Sequence, residues 1–162
     1  MYDIYTFTFI KMITIIDFES HYAEDFKNLN EAWIKKYFKI EQSDIDTLHH
    51  AQTYIIDKGG FVFFAQYNDK IVGACALIKA ENGTYELAKM AVHEDYQGLK
   101  IGYLIGKHCV DFAISIGATR LYLESNRKLV PALTLYKKLG FIEVENFVTP
   151  YERADIAMEI VL

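Results

Sequence analysis

The segment YQGLKIG, residues 96–102, leaves an apolar strand pattern and enters a helix pattern, with Gly98 and Gly102 on either side of Lys100. The first N–H groups of a helix have no partner within it, and the helix dipole adds positive potential, so such a turn is a ready seat for an anion. Glycine also lets the backbone come close to a ligand. The same residues make an ordinary tight connection, and the turn alone does not separate the two. The GKS/T phosphate loop and the GxGxxG dinucleotide fingerprint are both missing. Upstream, in TYELAKMAV, Glu86 is a carboxylate in a mostly apolar strand pattern. Burial there raises a carboxyl pKa, which suits a proton acceptor. Binding a substrate ammonium is a second reading, and a solvent-facing strand glutamate is the bland alternative.

The composition narrows the field. A chain of 162 residues with 52% apolar content is enough for one domain with its own core. A net charge of −5 gives no basic footprint for nucleic acid. Cys75 and Cys109 lie far apart among apolar residues and read as buried free thiols, which fits a cytoplasmic setting. His49 and His50 have no cysteine or acid pair at ligand spacing, so no metal site is expected. The opening MYDIYTFTFIKMITII is broken by Asp3 and Lys11, which argues against a membrane span. It reads as a strand preceded by a loosely held leader, residues 1–11, with a single domain over 12–162.

The elements that must position these residues follow from periodicity and turn signals. MITIIDF (12–18) reads as a buried strand. Ser20 is a candidate cap for a helix whose Phe26, Leu29, Trp33 and Tyr37 keep helical spacing. Ser43 is a candidate cap for a second helix, DIDTLHHAQTYIIDK. Two strands follow, joined at NDK, and a hairpin at ENG leads into TYELAKMAV. The glycine turn opens a helix that Gly117 ends. RLYLES is a strand, and residues 129–139 are a helix with Pro131 in its first turn and Gly140 past its end. FIEVE and DIAMEIVL close the chain. The order is β, α, α, β, β, β, α, β, α, β, β, which makes an α/β (α+β) mixed sheet with helices on both faces.

Taken together, YELAKMAVHEDYQGLKIGYLIGKH and LYLESNRKLVPALTLYKKLGF resemble the GNAT superfamily of acetyl-CoA-dependent N-acetyltransferases. The family loop reads Gln/Arg-x-x-Gly-x-Gly/Ala, and Gln97 to Gly102 occupy it, with Lys100 where the family usually has glycine. The resemblance covers roughly residues 12–162 and is most specific over 84–141. It implies a mostly antiparallel sheet with a splayed parallel pair. It also implies acetyl-CoA as cosubstrate, with its pyrophosphate on the amides of Gly98, Leu99, Lys100, Ile101, Gly102 and Tyr103. At Lys100 the amide can still donate if φ stays negative. A bulge would open the preceding strand, so that Met90, Ala91 and Val92 pair with the pantetheine arm through their backbone.

The same resemblance assigns the chemistry. Glu86 stands where some members carry the base, and Tyr136 where the family has a tyrosine near the sulfur, a general acid, although a packed helix with Leu129, Leu133 and Leu139 at its spacing also suits a core tyrosine. Asn126 either binds the pantetheine arm or caps the next helix. Trp33, Tyr37 and Glu41 fall in the acceptor wall, although aromatics at i and i+4 also suit a core. Glu152 and Arg153 fall in a second acceptor-side connection. A cationic amine suits Glu41 or Glu152, and a carboxylate-bearing acceptor suits Arg153. No cysteine sits at a nucleophile position, so attack by a primary amine in a ternary complex is expected. The alternatives are a module that binds acyl-CoA without turnover, and a transferase for another acyl group with a wider pocket near Leu77 or Cys109. A free edge at the C-terminal strand would favour a homodimer.

Overall fold

The computed structural model describes residues 3–162. The elements are α1 (Ile4–Met12), β1 (Thr14–Asp17), α2 (Ala23–Tyr37), α3 (Gln42–His49), β2 (Phe61–Tyr67), β3 (Lys70–Lys79), β4 (Thr84–Val92), α4 (Ile101–Ser115), β5 (Arg120–Ser125), α5 (Val130–Leu139), β6 (Ile142–Val144) and β7 (Ile156–Val161). From β1 onward the order is the expected one. The seven strands form one sheet in the order β1-β2-β3-β4-β5-β7-β6. Each neighbouring pair is antiparallel except β4 with β5.

Two cores flank the sheet. On one face α4 and α5 pack against Phe63, Cys75, Leu77, Leu87, Leu121 and Leu123. On the other, Phe26 and Ile34 of α2 and Leu48 of α3 pack against Val62, Phe64, Ala74 and Ala76. The central strand β3 is therefore buried along most of its length. Each fully buried Phe, Ile or Leu contributes about 1.5–3 kcal/mol. The buried stripe of α2 is Phe26, Asn30 and Ile34, which are spaced four apart as a helix face requires. Asn30 is admitted to the core because its Nδ2 donates to the Phe26 carbonyl at 3.0 Å and its Oδ1 accepts from Trp33 Nε1 at 3.3 Å. The Asn68–Asp69 turn between β2 and β3 has positive φ at both residues, the geometry that matches the twist of a hairpin.

Several local expectations change. Residues 4–12 form a helix, whereas Met1 and Tyr2 of the expected leader lie outside the described residues. β1 pairs with β2 alone and is half-exposed, because it forms an edge of the sheet. Ser20 opens a 3₁₀ turn and its side chain caps no helix. Ser43 lies inside α3, whose first turn is closed by the Glu41 N–H donating to Asp44 Oδ2 at 2.9 Å. The second helix stops at His49, and a π turn, Gln52–Ile56, follows in place of its second half. The C-terminal strand β7 lies between β5 and β6, so β1 and β6 are the edges and β7 offers none. The route from β5 to β7 passes through β6, which puts the later strand inside.

Candidate active site

The site forms where the one parallel pair comes apart. β4 and β5 pair only at Thr84–Arg120, Tyr85–Leu121 and Glu86–Tyr122, though β4 continues to Val92 and β5 to Ser125. On its other side β4 carries a bulge. Ala88 pairs with Ala76 and Ala91 with Ala74, so Lys89 and Met90 together stand opposite Cys75. Lys89 has φ +54°, a left-handed conformation that costs a lysine roughly 1–2 kcal/mol. Beyond Glu86, the β5-facing backbone of β4 has no strand partner. Such an edge can take an extended, amide-bearing ligand as an added strand.

A cavity of about 190 Å³ sits in this fork, with Glu86, Met90, Glu124 and Asn126 from the strands and Tyr136 from α5 in its walls. Trp33 and Phe38 close it from the α2 side, and Tyr151 and Arg153 from the β6–β7 connection. Burial, reinforced by the Glu124 carboxylate, pushes the Glu86 carboxyl up to about 7, and the Lys89 ammonium pulls the other way. Glu124 is held by neutral donors: Tyr122 Oη donates to it at 2.9 Å and Thr149 Oγ1 at 2.7 Å. Tyr136 is half-buried with its hydroxyl enclosed. That burial, with the Cys75 thiol beside it, pushes its pKa up, so it keeps its proton at neutral pH. The site therefore sets a carboxyl that titrates near neutrality opposite a hydroxyl that holds its proton.

Behind the cavity lies a group of buried charges. Asp44 of α3 is fully buried. It accepts from Lys89 Nζ at 2.7 Å and from both terminal nitrogens of Arg153 at 2.7 Å each. Glu41 takes a further bond from Arg153 Nη1 at 3.0 Å. Burial alone would raise the Asp44 carboxyl, but the Arg153 hydrogen bonds and the Lys89 charge outweigh it and hold it at about 2. Burial lowers the Lys89 pKa, with Asp44 opposing. The isolated cost of burying such ions is large, so each needs the others. Both cations of the cavity wall are thereby matched by acids outside it.

The residues singled out in the sequence distribute as follows. Glu86, Met90, Asn126, Tyr136, Trp33 and Arg153 meet at the cavity. Glu41 and Arg153 bind each other instead of offering separate charges to a ligand. Glu152 is exposed, and its N–H donates to Glu41 Oε1 at 3.0 Å. Tyr37 is 51% exposed and lines a second, wider groove that runs toward Val92 and Gln97. Asn126 does two structural tasks, donating to the Arg153 carbonyl at 2.7 Å and accepting from the Lys128 N–H at 3.0 Å. Ala91 is buried on β4 beside Met90.

The turn 97–102 leads to the N-terminus of α4, as its pattern requires. Gln97 Nε2 donates to the Val92 carbonyl at 3.4 Å. Gly98 has φ +78°, and a Cβ there would meet nothing within 4 Å, so the turn is open at its tip. Lys100 is the N-cap, and its φ of +66° is positive rather than negative. The position is left-handed, which gives a physical reason for glycine at the matching family position. A Cβ on Gly102 would stand 3.2 Å from Leu135 Cδ2, so this glycine also lets α4 and α5 come together. Ile101 and Ile105 anchor the helix in the core.

Sequence reasoning missed Glu124, Asp44 and Lys89. Glu124 had a usable signal: it lies two residues beyond Tyr122 and so on the same face of β5. Asp44 and Lys89 had none, because their pairing depends on two segments meeting across 45 residues. Among the described residues no group of His, Cys, Asp or Glu is placed to hold a metal ion, and no helix is long and apolar enough to cross a membrane.

A mixed seven-stranded sheet whose single parallel pair is forked at a bulge, with a glycine-bearing turn at the head of the next helix, is the GNAT acyltransferase fold. The chain matches the model of the acetyltransferase (GNAT) family over residues 17–141, and it belongs to that family. An uncharacterized N-acetyltransferase of Schizosaccharomyces pombe is 31% identical over 65 residues, 40% of each chain. N-acetylaspartate synthetase of Xenopus tropicalis is 28% identical over 107 residues, 65% of this chain and 38% of that protein. The matches thus span about two-fifths of the length of these curated relatives. Among solved structures, a GNAT-family acetyltransferase from Staphylococcus aureus Mu50 superposes with a TM-score of 0.83 at 24% identity, covering 91% of this chain and 97% of that one. Spermidine N-acetyltransferase from Vibrio cholerae, in complex with CoA and spermine, gives 0.68 at 18% identity over 93% and 96%. Both share the fold.

Proposed function

We propose that the protein transfers acetyl from acetyl-CoA to a primary amine of a small molecule, peptide or protein, by direct attack in a ternary complex. The observation that carries this reading is Glu86, a carboxyl brought to about 7 at the point where β4 and β5 part. The residues fit the cosubstrate: a β4 edge without a strand partner, an open turn at Gly98 and the first-turn amides of α4 supply the partners it needs. Bound acetyl-CoA supplies an activated thioester. The Met90–Val92 backbone binds the pantetheine arm, and the amides from Gly98 to Tyr103, with Gln97 bracing the turn, hold the pyrophosphate. Asn126 keeps its second amide hydrogen for the arm.

Each step then has a residue. An amine of ordinary pKa is mostly ammonium at neutral pH. Glu86 takes its proton, directly or through one water, and frees the lone pair. The Met90 or Ala91 N–H donates to the carbonyl oxygen as negative charge gathers there. As the new C–N bond replaces the C–S bond, the nitrogen sheds its second proton to solvent and the Tyr136 hydroxyl gives its proton to the departing thiolate, to be reprotonated from solvent. Neither thiol takes part: Cys75 and Cys109 are fully buried, and burial raises the Cys75 pKa further. Two buried free thiols also fit a cytoplasmic setting.

The charge balance of the cavity favours an acceptor that brings a cation. Lys89 and Arg153 are committed to Asp44 and Glu41, while Glu86 and Glu124 have no cationic hydrogen-bond partner among the described residues. A carboxylate beside the reacting amine would meet those two acids. The test is acetyl-CoA-dependent thiol release across a panel of amines. Turnover that requires Glu86 supports the reading; coenzyme binding with no turnover on any amine overturns it.

A further inference from the structure

We infer that Asp44 is a positioning residue for the transfer, pinning the β4 bulge through Lys89 and the β6–β7 connection through Arg153, and so fixing where Glu86 and the Met90 N–H stand. The inference rests on the reading of Glu86 as the base. Asp44 does not line the cavity, so it touches no reactant. Its side chain is nonetheless saturated. Oδ1 accepts from Lys89 Nζ and Arg153 Nη2, and Oδ2 accepts from Arg153 Nη1 and the Glu41 N–H. One carboxylate thus joins α3, the bulge of β4 and the connection that carries Tyr151.

The bulge needs such a tie. Lys89 sits in a left-handed conformation that a lysine does not choose, and its side chain is only 4% exposed. A free lysine there would relax its φ and reach for solvent, because both the strain and the desolvation would fall. The 2.7 Å bond to Asp44 keeps it in place. Met90 follows Lys89 directly, and Glu86 is three residues before it, so the geometry of both depends on that φ. Arg153 is held in the same way, and through the Asn126 amide its backbone is tied to the end of β5.

The charges point to the same arrangement. Glu86 is faced by Glu124 and Tyr122 from β5, by Tyr151 from the β6–β7 connection and by Lys89 from its own strand. Lys89 is the positive member of that set and favours the ionised form of Glu86. Without Asp44, Arg153 would keep Glu41, but Lys89 would be a buried cation beside Arg153 with Glu86 as the remaining acid acting on it.

The experiment compares full-length wild type, Asp44→Asn, Lys89→Met and Glu86→Gln, with acetyl-CoA and the best acceptor from butylamine, 1,4-diaminobutane, phenethylamine and Nα-acetyl-lysine. Asp44→Asn is expected to lower kcat by about tenfold or more while the KM for acetyl-CoA stays within about twofold, the signature of misplaced reacting groups. Lys89→Met keeps the Asp44–Arg153 pair and stays folded even where Asp44→Asn does not. It is expected to move the acid limb of kcat/KM to higher pH, because the cation that favours the Glu86 carboxylate is gone. A folded Asp44→Asn with wild-type kcat, or, where it does not fold, a Lys89→Met with wild-type kcat, overturns this inference alone when wild type is active and Glu86→Gln is dead. A wild type inactive on every amine, or a Glu86→Gln variant as active as wild type, overturns the underlying reading and this inference with it.

Discussion

Glu86 on β4 lies opposite Tyr122 on β5 in the last register pair before the two strands part. That placement buries the carboxyl in the fork and keeps it beside the backbone edge a ligand would follow. Removing the carboxylate while keeping its shape is the direct test. Glu86→Gln is expected to lower kcat by about 10²–10⁴-fold, the usual contribution of a positioned base. Isothermal titration should find acetyl-CoA affinity unchanged.

The raised carboxyl also fixes two pH dependences. A base works ionised, so wild-type kcat/KM should rise with pH through an acid limb near 7. For stability the sign is opposite to that of a salt-bridged acid. The folded pKa lies above the unfolded value of 4.5, so the folded state binds the extra proton and loses stability as pH climbs from 4.5 to about 7. Glu86→Gln removes that loss. In urea melts its stability relative to wild type should improve between pH 4 and pH 8 by roughly 1–3 kcal/mol.

Tyr136→Phe keeps the ring that meets Phe141 edge-on at 6.1 Å and deletes only the hydroxyl. Steady-state kinetics should show kcat reduced by about 10²-fold or more with the acetyl-CoA KM little changed, as expected for loss of a general acid. An unchanged kcat would remove Tyr136 from the chemistry.

Glu124 accepts hydrogen bonds from Tyr122 and Thr149 and lines the cavity in the β4–β5 fork. Glu124→Gln should raise the KM for a cationic acceptor by about 10- to 100-fold, the worth of one charged hydrogen bond. Measured with saturating amine, the acetyl-CoA KM should stay the same.

Lys100 at φ +66° separates a backbone effect from a side-chain effect. Lys100→Ala and Lys100→Gly both remove the side chain, but only glycine relieves the left-handed strain. The glycine variant should be more stable than the alanine variant by about 1 kcal/mol in thermal or urea melts. Equal stabilities would mean that the turn relaxes its φ at no cost.

Much of this was written locally. Periodicity gave the order of elements from β1 onward, and the glycine-bearing turn before α4 announced itself through Gly98 and Gly102. Glu86 stood out because a carboxylate in TYELAKMAV is costly unless it has a task. The features that were misread also have local causes. An acid three residues into α3, not the serine before it, closes that helix, and His49 ends it because the backbone turns at His50. The left-handed φ of Lys100 has no local signal, because nothing in its neighbours declares it.

The sequence by itself determined the segments, their periodicities and the residues that could act as base and acid, since each depends on neighbours within a few positions. Tertiary structure alone decided which charges were spent on one another. Arg153 and Asp44 are 109 residues apart, and Lys89 and Asp44 are 45 apart. Only the folded sheet, with Asp44 of α3 set against Lys89 in the β4 bulge, brings them within 2.7 Å. Coulombic and hydrogen-bond energies fall steeply with distance, so composition could count these acids and bases but not pair them. The pairing leaves Glu86 and Glu124 as the acids that face the cavity, where burial and the Glu124 charge bring the Glu86 carboxyl to about 7.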